Sequence, residues 1–472
     1  MRRVYFSLPV FQYYGSDCYN IMRGHIVPLH YSLSFREDKS RPFITDDERR
    51  EKHSMKNKKW INDSKVLLLA VALGAFAGVV IWAFLRAVGL VTGLLWEKLP
   101  EVISFKAYPV FICTAGGLII GIFRKIFGDY PEELTVVMGK IKKDGHYDYS
   151  NMFVMLIAAF LPLVFAASIG PEAGLTGVIV GLCYWVGDNL KYAKTHEKEY
   201  SEIGEAVTLG VLFHAPLFGI FAVEEENANE DVSGVKLPKI HKLLLYGAST
   251  LGGLATYYVL NTYLGTAMAG FPSLEDVTFG IKDCPAAILY VVVGILMAYI
   301  FNMLEHLLGK LAGKIPAIVC ETICGLVLGA VITFFPIVAF SGEEQMGELA
   351  ETFTTFAPLV LIGIALLKML MTTFCIKFGM KGGHFFPLIY SCVCMGFAFG
   401  ILFFGYDFGH LAFAAGMVTA ACLGTQLKKP LAAALLCLLC FPLKMLFFMF
   451  VAAALGACVA KQAEARLKKK ED

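Results

Sequence analysis

The sequence predicts an all-α polytopic membrane protein, two repeated halves of transmembrane helices that are tilted and broken. Three observations carry that prediction. Of 472 residues, 57% are hydrophobic and 17% charged, too apolar for a soluble domain of this size. The apolar residues fall in repeated runs of about twenty, the span of a bilayer core. An echo also links the two halves: His214-Ala-Pro-Leu-Phe-Gly-Ile-Phe in the first resembles Lys429-Pro-Leu-Ala-Ala-Ala-Leu-Leu in the second. Each places a polar residue shortly before a proline and then an apolar helix former. Paired halves with interrupted helices are characteristic of membrane folds whose cargo sits near the bilayer midplane.

Residues 1–60 mix aromatic and charged side chains without a sustained apolar period, and read as a polar, disordered N-terminal extension. No signal peptide is visible there. Met55 precedes Lys-Asn-Lys-Lys and then an apolar run, so translation is expected to begin at Met55. Residues 61–460 form one membrane domain. Val66 to Trp96, Tyr108 to Ile122, Met152 to Ala167, Ala286 to Leu304 and Phe356 to Ile376 are apolar runs near the length of a span. Phe385 to Phe404, Leu411 to Leu423 and Pro430 to Phe441 are interrupted by Gly and Pro, as in helices that stop partway through a bilayer. Polar interruptions near Lys140, Tyr192, Glu224, Gly342 and Tyr406 are too short for separate domains. Residues 461–472 are a short basic tail, leaving no room for a regulatory cytoplasmic domain.

The net charge of +2 excludes little, but its placement is informative. Lys56, Lys58, Lys59 and Lys65 precede the first run, and Lys461, Arg466, Lys468, Lys469 and Lys470 follow the last. The positive-inside rule then puts both termini in the cytoplasm of a cell membrane. Flanking spans, these clusters read as lipid anchors, and no nucleic-acid partner is expected. Most of the thirteen cysteines lie inside apolar runs and read as small packing residues. Cys437 and Cys440 form a C-x-x-C with no histidine or second pair nearby, so no metal or other cofactor is expected.

The chemistry lies in breaks that aim helix N-termini. A helix start has unpartnered N–H groups and partial positive character, and an anion satisfies both. Inside a bilayer such partial charges suit passage, whereas a full Lys or Arg charge would hold the anion. Three segments qualify: Ser168-Ile-Gly-Pro-Glu-Ala-Gly174, Gly382-Gly-His-Phe-Phe-Pro387, and Phe213-His-Ala-Pro-Leu-Phe-Gly219 running into Glu224-Glu-Glu226.

In this order and at this spacing, the three segments resemble the CLC superfamily of chloride channels and chloride/proton exchangers. That superfamily carries G-K/R-E-G-P, N-A-P-L-x-G followed by two glutamates, and G-G-x-F-x-P. The likeness runs from roughly Leu67 to Ala460, with Gly416-Met-Val-Thr-Ala-Ala, Pro430-Leu and Leu455-Gly-Ala457 similar to the family's last helices. It implies an all-α fold of two inverted-topology repeats, and a homodimer with one pathway per subunit for chloride or another small anion and no enzymatic chemistry. It implies an anion site at Gly170, Pro171 and Gly383 and at the backbone amides of His384, Phe385 and Phe386. The alternative for Gly382 and Gly383 is a tight helix–helix contact.

The chain departs from the family pattern at several positions. The gating glutamate falls on Ile169, and Glu172 is either its substitute or a carboxylate favourably placed at a helix start. The hydroxyl ligand of the family's first motif has no clear counterpart, the nearest match being Gly128-Asp-Tyr-Pro-Glu132. The inner tyrosine aligns, counted without gaps, on Lys444, which either recruits the anion or snorkels to the interface. Glu226 aligns with the inner proton-transfer glutamate and Glu225 with its neighbour, or else the run from Glu224 to Glu226 caps a helix in water. Without an acid at Ile169, passive channel-like conduction is the leading expectation, and a proton-coupled antiporter using Glu172 and Glu226 the alternative. A metalloenzyme built on His214 and Glu224 to Glu226 lacks H-E-x-x-H spacing. A cation pathway lined by those glutamates is the remaining class. Preference among small anions is not encoded in a site built of backbone donors.

Overall fold

The computed structural model describes residues 46–103, 105–131, 148–189, 197–227, 239–267 and 270–471. The chain divides into two compact units, Met1–Lys59 and Trp60–Asp472. Helix α1 (Asp46–Gly93) begins inside the segment expected to be disordered. Its start is rich in Glu, Lys and Arg, good helix formers, with acidic residues in the first turn where the dipole favours them. Residues 1–45 lie outside the described residues.

A π-helical turn (Leu94–Lys98) and α2 (Leu99–Ile103) continue α1. There follow α3 (Tyr108–Phe127), α4 (Met152–Val164), α5 (Glu172–Asn189), α6 (Glu197–Leu212), α7 (Pro216–Asn227) and α8 (Lys239–Leu264). The second half comprises α9 (Asp283–Ala312), α10 (Ala317–Phe334), α11 (Glu343–Thr352), α12 (Pro358–Lys377), α13 (Phe385–Phe404), α14 (Phe408–Leu427), α15 (Pro430–Cys437) and α16 (Leu446–Glu471). Nine helices among the described residues are long and apolar enough to cross a membrane. By contrast, α4 and the apolar part of α5 are shorter, as the broken-helix reading requires.

Burial sorts these spans into layers. Within α13 and α14, 83% and 89% of the most apolar stretch is buried, against 28–50% in the other seven. These two helices are therefore the centre, and the rest present Phe111, Leu359, Phe447 and similar side chains outward, toward lipid. Helix α14 packs against α9, α13 and α16. Close crossings use small residues: an added Cβ at Gly117 of α3 would meet the backbone of Glu321 and Gly325 of α10, and one at Gly396 of α13 that of Ala415 of α14. This is the small-residue packing that stands in for hydrophobic association inside lipid.

Two connections cross the middle of the bundle. After α4, which holds Pro162 in its last turn, the chain turns through Ala166 at φ 58°. After α12 it turns through Gly379 at φ +99°. The two segments then run antiparallel for one step, where Gly170 and Gly383 form an isolated bridge; no sheet forms among the described residues.

Candidate functional site

The bridge fixes the site. Gly170 N donates to Gly383 O and Gly383 N to Gly170 O, each at 2.8 Å. Two residues beyond each glycine a helix begins, so the pairing holds the N-termini of α5 and α13 together. Glycine is required at these positions by contact. A Cβ at Gly383 would fall on the Glu172 carboxyl, one at Gly170 on Glu172 Oε2 and the Phe386 ring, and one at Gly382 on the Ile169 side chain.

Glu172 is the first residue of α5 and is 3% exposed. Its Oε1 accepts a hydrogen bond from Phe385 N at 2.9 Å, and the Phe386 amide also donates toward the carboxyl. Its Oε2 has no partner among the described residues. An acidic side chain thus sits on the open N–H groups of α13, where partial positive charge and unpaired donors coincide.

The third segment joins through stacking. The Phe386 ring lies between Phe213, at 4.9 Å and 14°, and Phe271, at 5.1 Å and 15°. Phe213 directly follows α6, and His214 turns the chain at φ 47° into α7. The His214 ring meets Tyr257 and Tyr258 of α8 edge-on. His214, Tyr257, Pro171, Phe386 and Glu343 line a small cavity beside the bridge.

A buried lysine supports this arrangement. Lys368, in mid-α12 and 0% exposed, donates to the carbonyls of Val338, Ala339 and Phe340 at 3.0, 2.9 and 2.6 Å. Phe340 N in turn donates to Ala166 O at 3.3 Å, tying the clamped turn to the segment that leads into Gly170. One turn along α12, Thr372 pairs with Ser168 through their hydroxyls at 3.1 Å. On the other side, Arg124 of α3 bridges buried Glu321 and Asp129, and Lys381 reaches Asp129 at 2.8 Å. Burial would raise the Asp129 carboxyl, but Lys381 and Arg124 outweigh it and hold that group below the usual carboxylate range. The network pins Lys381, next to Gly382, against the end of α3.

The family described as "Voltage gated chloride channel" matches residues 116–461, most of the chain. The chain belongs to this CLC family. Similar curated relatives include the putative ion-transport protein YfeO of Escherichia coli O6:H1, 22% identical over 342 residues, which are 70% of this chain and 77% of that one. The protein of the same description from Shigella sonnei is 21% identical over 341 residues, with the same shares. Among solved structures, a slow cyanobacterial Cl−/H+ antiporter superposes with a TM-score of 0.69 at 17% identity, covering 84% of this chain and 94% of that chain. A CLC-type fluoride/proton antiporter gives 0.65 at 16% identity, covering 84% and 96%. At such identities the likeness establishes the fold. The CLC chain is thus an all-α, multi-pass membrane protein of an anion-transporting family.

Of the residues read from the sequence, the structure of this CLC chain brings together Ile169, Gly170, Pro171, Glu172, Gly383, His384, Phe385 and Phe386. Gly382 and Gly383 make room for Ile169 and Glu172 in place of the helix–helix contact considered for them. Lys444 is not brought there. It is exposed on a 3-10 turn (Leu443–Met445) while its neighbour Met445 is buried, because an ammonium reaches outward more cheaply than it is buried. Glu225 and Glu226 belong to the last turn of α7, but their side chains lie outside the described residues, as does Glu132 of the segment weighed as the family's first motif. Lys368, Thr372 and Glu343 were not anticipated. A lone lysine in the run from Phe356 to Ile376 was the available signal, since an ionisable group within an apolar span needs a reason.

Proposed function

We propose that this CLC chain carries chloride or another small anion across a cell membrane past the amides of Phe385 and Phe386. Glu172 acts as a tethered gate and couples the anion to a proton. The single observation behind this is the Glu172 carboxylate on Phe385 N at 2.9 Å, buried, with its second oxygen unpartnered. An incoming anion needs the same donors, so the carboxylate must leave first. Protonation removes the charge that competes for them, and proton and anion binding are thereby linked thermodynamically. The absence of an acid at Ile169 is then no obstacle to coupling. The proton/anion antiporters of the same fold support exchange over free conduction. In the same reading the protein is a homodimer with both termini cytoplasmic, no covalent chemistry occurs, and Glu226, with Glu225, stands on the inner proton route.

Proteoliposome flux tests the proposal. A chloride gradient is expected to drive protons uphill in wild type, and Glu172→Ala to keep chloride flux while losing the proton movement. Chloride flux with no uphill proton movement in wild type would instead establish passive conduction, the reading that Ile169 at the family's glutamate position favours.

A further inference from the structure

A second buried acid faces the same place. Glu343 opens α11, at the end of the turn whose carbonyls Lys368 clamps. Its side chain is 8% exposed and holds one weak hydrogen bond, from Ser341 Oγ at 3.4 Å. It lines the cavity shared with Pro171, His214, Tyr257 and Phe386, which has room for about one water. The Glu172 and Glu343 carboxyls lie within electrostatic reach of each other, Glu343 in the cavity wall and Glu172 directly after the wall residue Pro171. The oxygen of Glu172 that lacks a partner is the one beside Gly170 and the Phe386 ring, and Pro171 and Phe386 are the cavity's walls on that side.

We propose that Glu343 is the immediate proton donor and acceptor for Glu172, exchanging one proton with it through the water-sized cavity; this rests on the exchange reading above. Two neighbouring buried carboxyls hold a single proton between them at less cost than two negative charges. The step balances without a further reactant. The Glu343 acid gives its proton through the bridging water to the Glu172 carboxylate. Protonated Glu172 loosens its hold on Phe385 N and frees that donor for an anion. The Glu343 carboxylate regains a proton from the aqueous side, where the next residue, Glu344, is exposed on a helix of polar composition. The other ionisable groups facing Glu343 are His214 and Tyr257, which share the cavity, and Cys440. Lys368 is a positioning residue here, fixing the turn that presents Glu343.

The test is chloride-driven proton uptake into proteoliposomes containing the full chain, for wild type, Glu343→Gln, Glu343→Asp and Glu172→Ala. The inference expects Glu343→Gln to keep chloride flux and to lose at least about tenfold of the protons moved per chloride, the scale of removing one positioned acid–base group. Unchanged proton coupling in Glu343→Gln, with coupling lost in Glu172→Ala, would overturn the role of Glu343 and leave the exchange reading standing. Absence of uphill protons in wild type would instead remove the exchange reading itself. Should Glu343→Gln lose chloride flux as well, Glu343→Asp decides, because it keeps the acid: return of both fluxes supports the relay, and return of chloride flux alone refutes it.

Discussion

Replacing Glu172 with alanine should make the protein bind chloride more tightly. In the wild type the carboxylate already occupies the donors of Phe385 and, beside it, Phe386. A charge-assisted hydrogen bond to a backbone N–H contributes about 1.5–3 kcal/mol, and an anion entering the site must displace it. At about 1.4 kcal/mol per factor of ten, removal of that competitor predicts chloride affinity rising by about tenfold to a hundredfold. The fold should tolerate the change, because the deleted group includes a buried oxygen with no partner, whose removal offsets part of the lost packing. Isothermal titration of chloride into purified wild-type and variant protein reads the difference directly. Equal affinity in wild type and variant would show that Glu172 does not compete for the anion's donors, and the gate would have to be sought elsewhere.

Gly383→Ala puts a methyl where the Glu172 carboxyl lies; overpacking of this kind costs about 1–3 kcal/mol, and flux measured beside thermal unfolding should show transport falling far more than stability. Arg124→Gln leaves the Glu321 carboxylate, 0% exposed, without its cation, at a cost of about 3–5 kcal/mol; an unchanged unfolding temperature in detergent would contradict the role given to this pair. Lys368→Met strips the donor from three carbonyls, two of them buried, each buried one worth about 1–3 kcal/mol when left unsatisfied, so a destabilisation of at least about 2 kcal/mol is expected in chemical or thermal unfolding. Lys444→Gln, at an exposed position, should leave chloride flux at the wild-type level, and a large loss would return Lys444 to the pathway.

Much of the fold was legible because bilayer thickness and hydrogen-bond satisfaction constrain a membrane chain so tightly. Runs of apolar residues marked the long helices, and Gly and Pro inside such runs marked the breaks at Gly170 and Gly383. The pairing of those breaks could only be expected, since nothing local in either segment names its partner; eight α-helices separate the two glycines along the chain. Lys368 was visible as an anomaly but its three carbonyl partners were not, because they belong to a turn after α10 whose sequence carries no signal for receiving a cation. Glu343 was hidden in plain composition. In Gly342-Glu-Glu-Gln it reads as one more polar interruption, and only burial separates it from Glu344, its exposed neighbour.

At Ile169 and Glu172 a position in an alignment and a place in the fold come apart. Ile169 lies directly before the bridge, and its side chain packs over Gly382. Glu172 is the first residue of α5, and in an α-helix the Cα–Cβ bond tilts toward the N-terminus. A glutamate at that first position is therefore directed back over the start of its own helix, which the Gly170–Gly383 bridge has set against the start of α13. An acid moved three residues along the chain thus reaches the helix start of the other break by a route that residue-by-residue matching would score as a loss. The same reasoning predicts the outcome of restoring the family's residue. Ile169→Glu would bury a second carboxyl against Gly382 without giving it the Phe385 amide that Glu172 already occupies, so it should cost stability and leave coupling dependent on Glu172. If Ile169→Glu combined with Glu172→Ala instead recovered full proton coupling, the donors of α13 would be within reach from either position, and the directional role assigned to the first turn of α5 would be wrong.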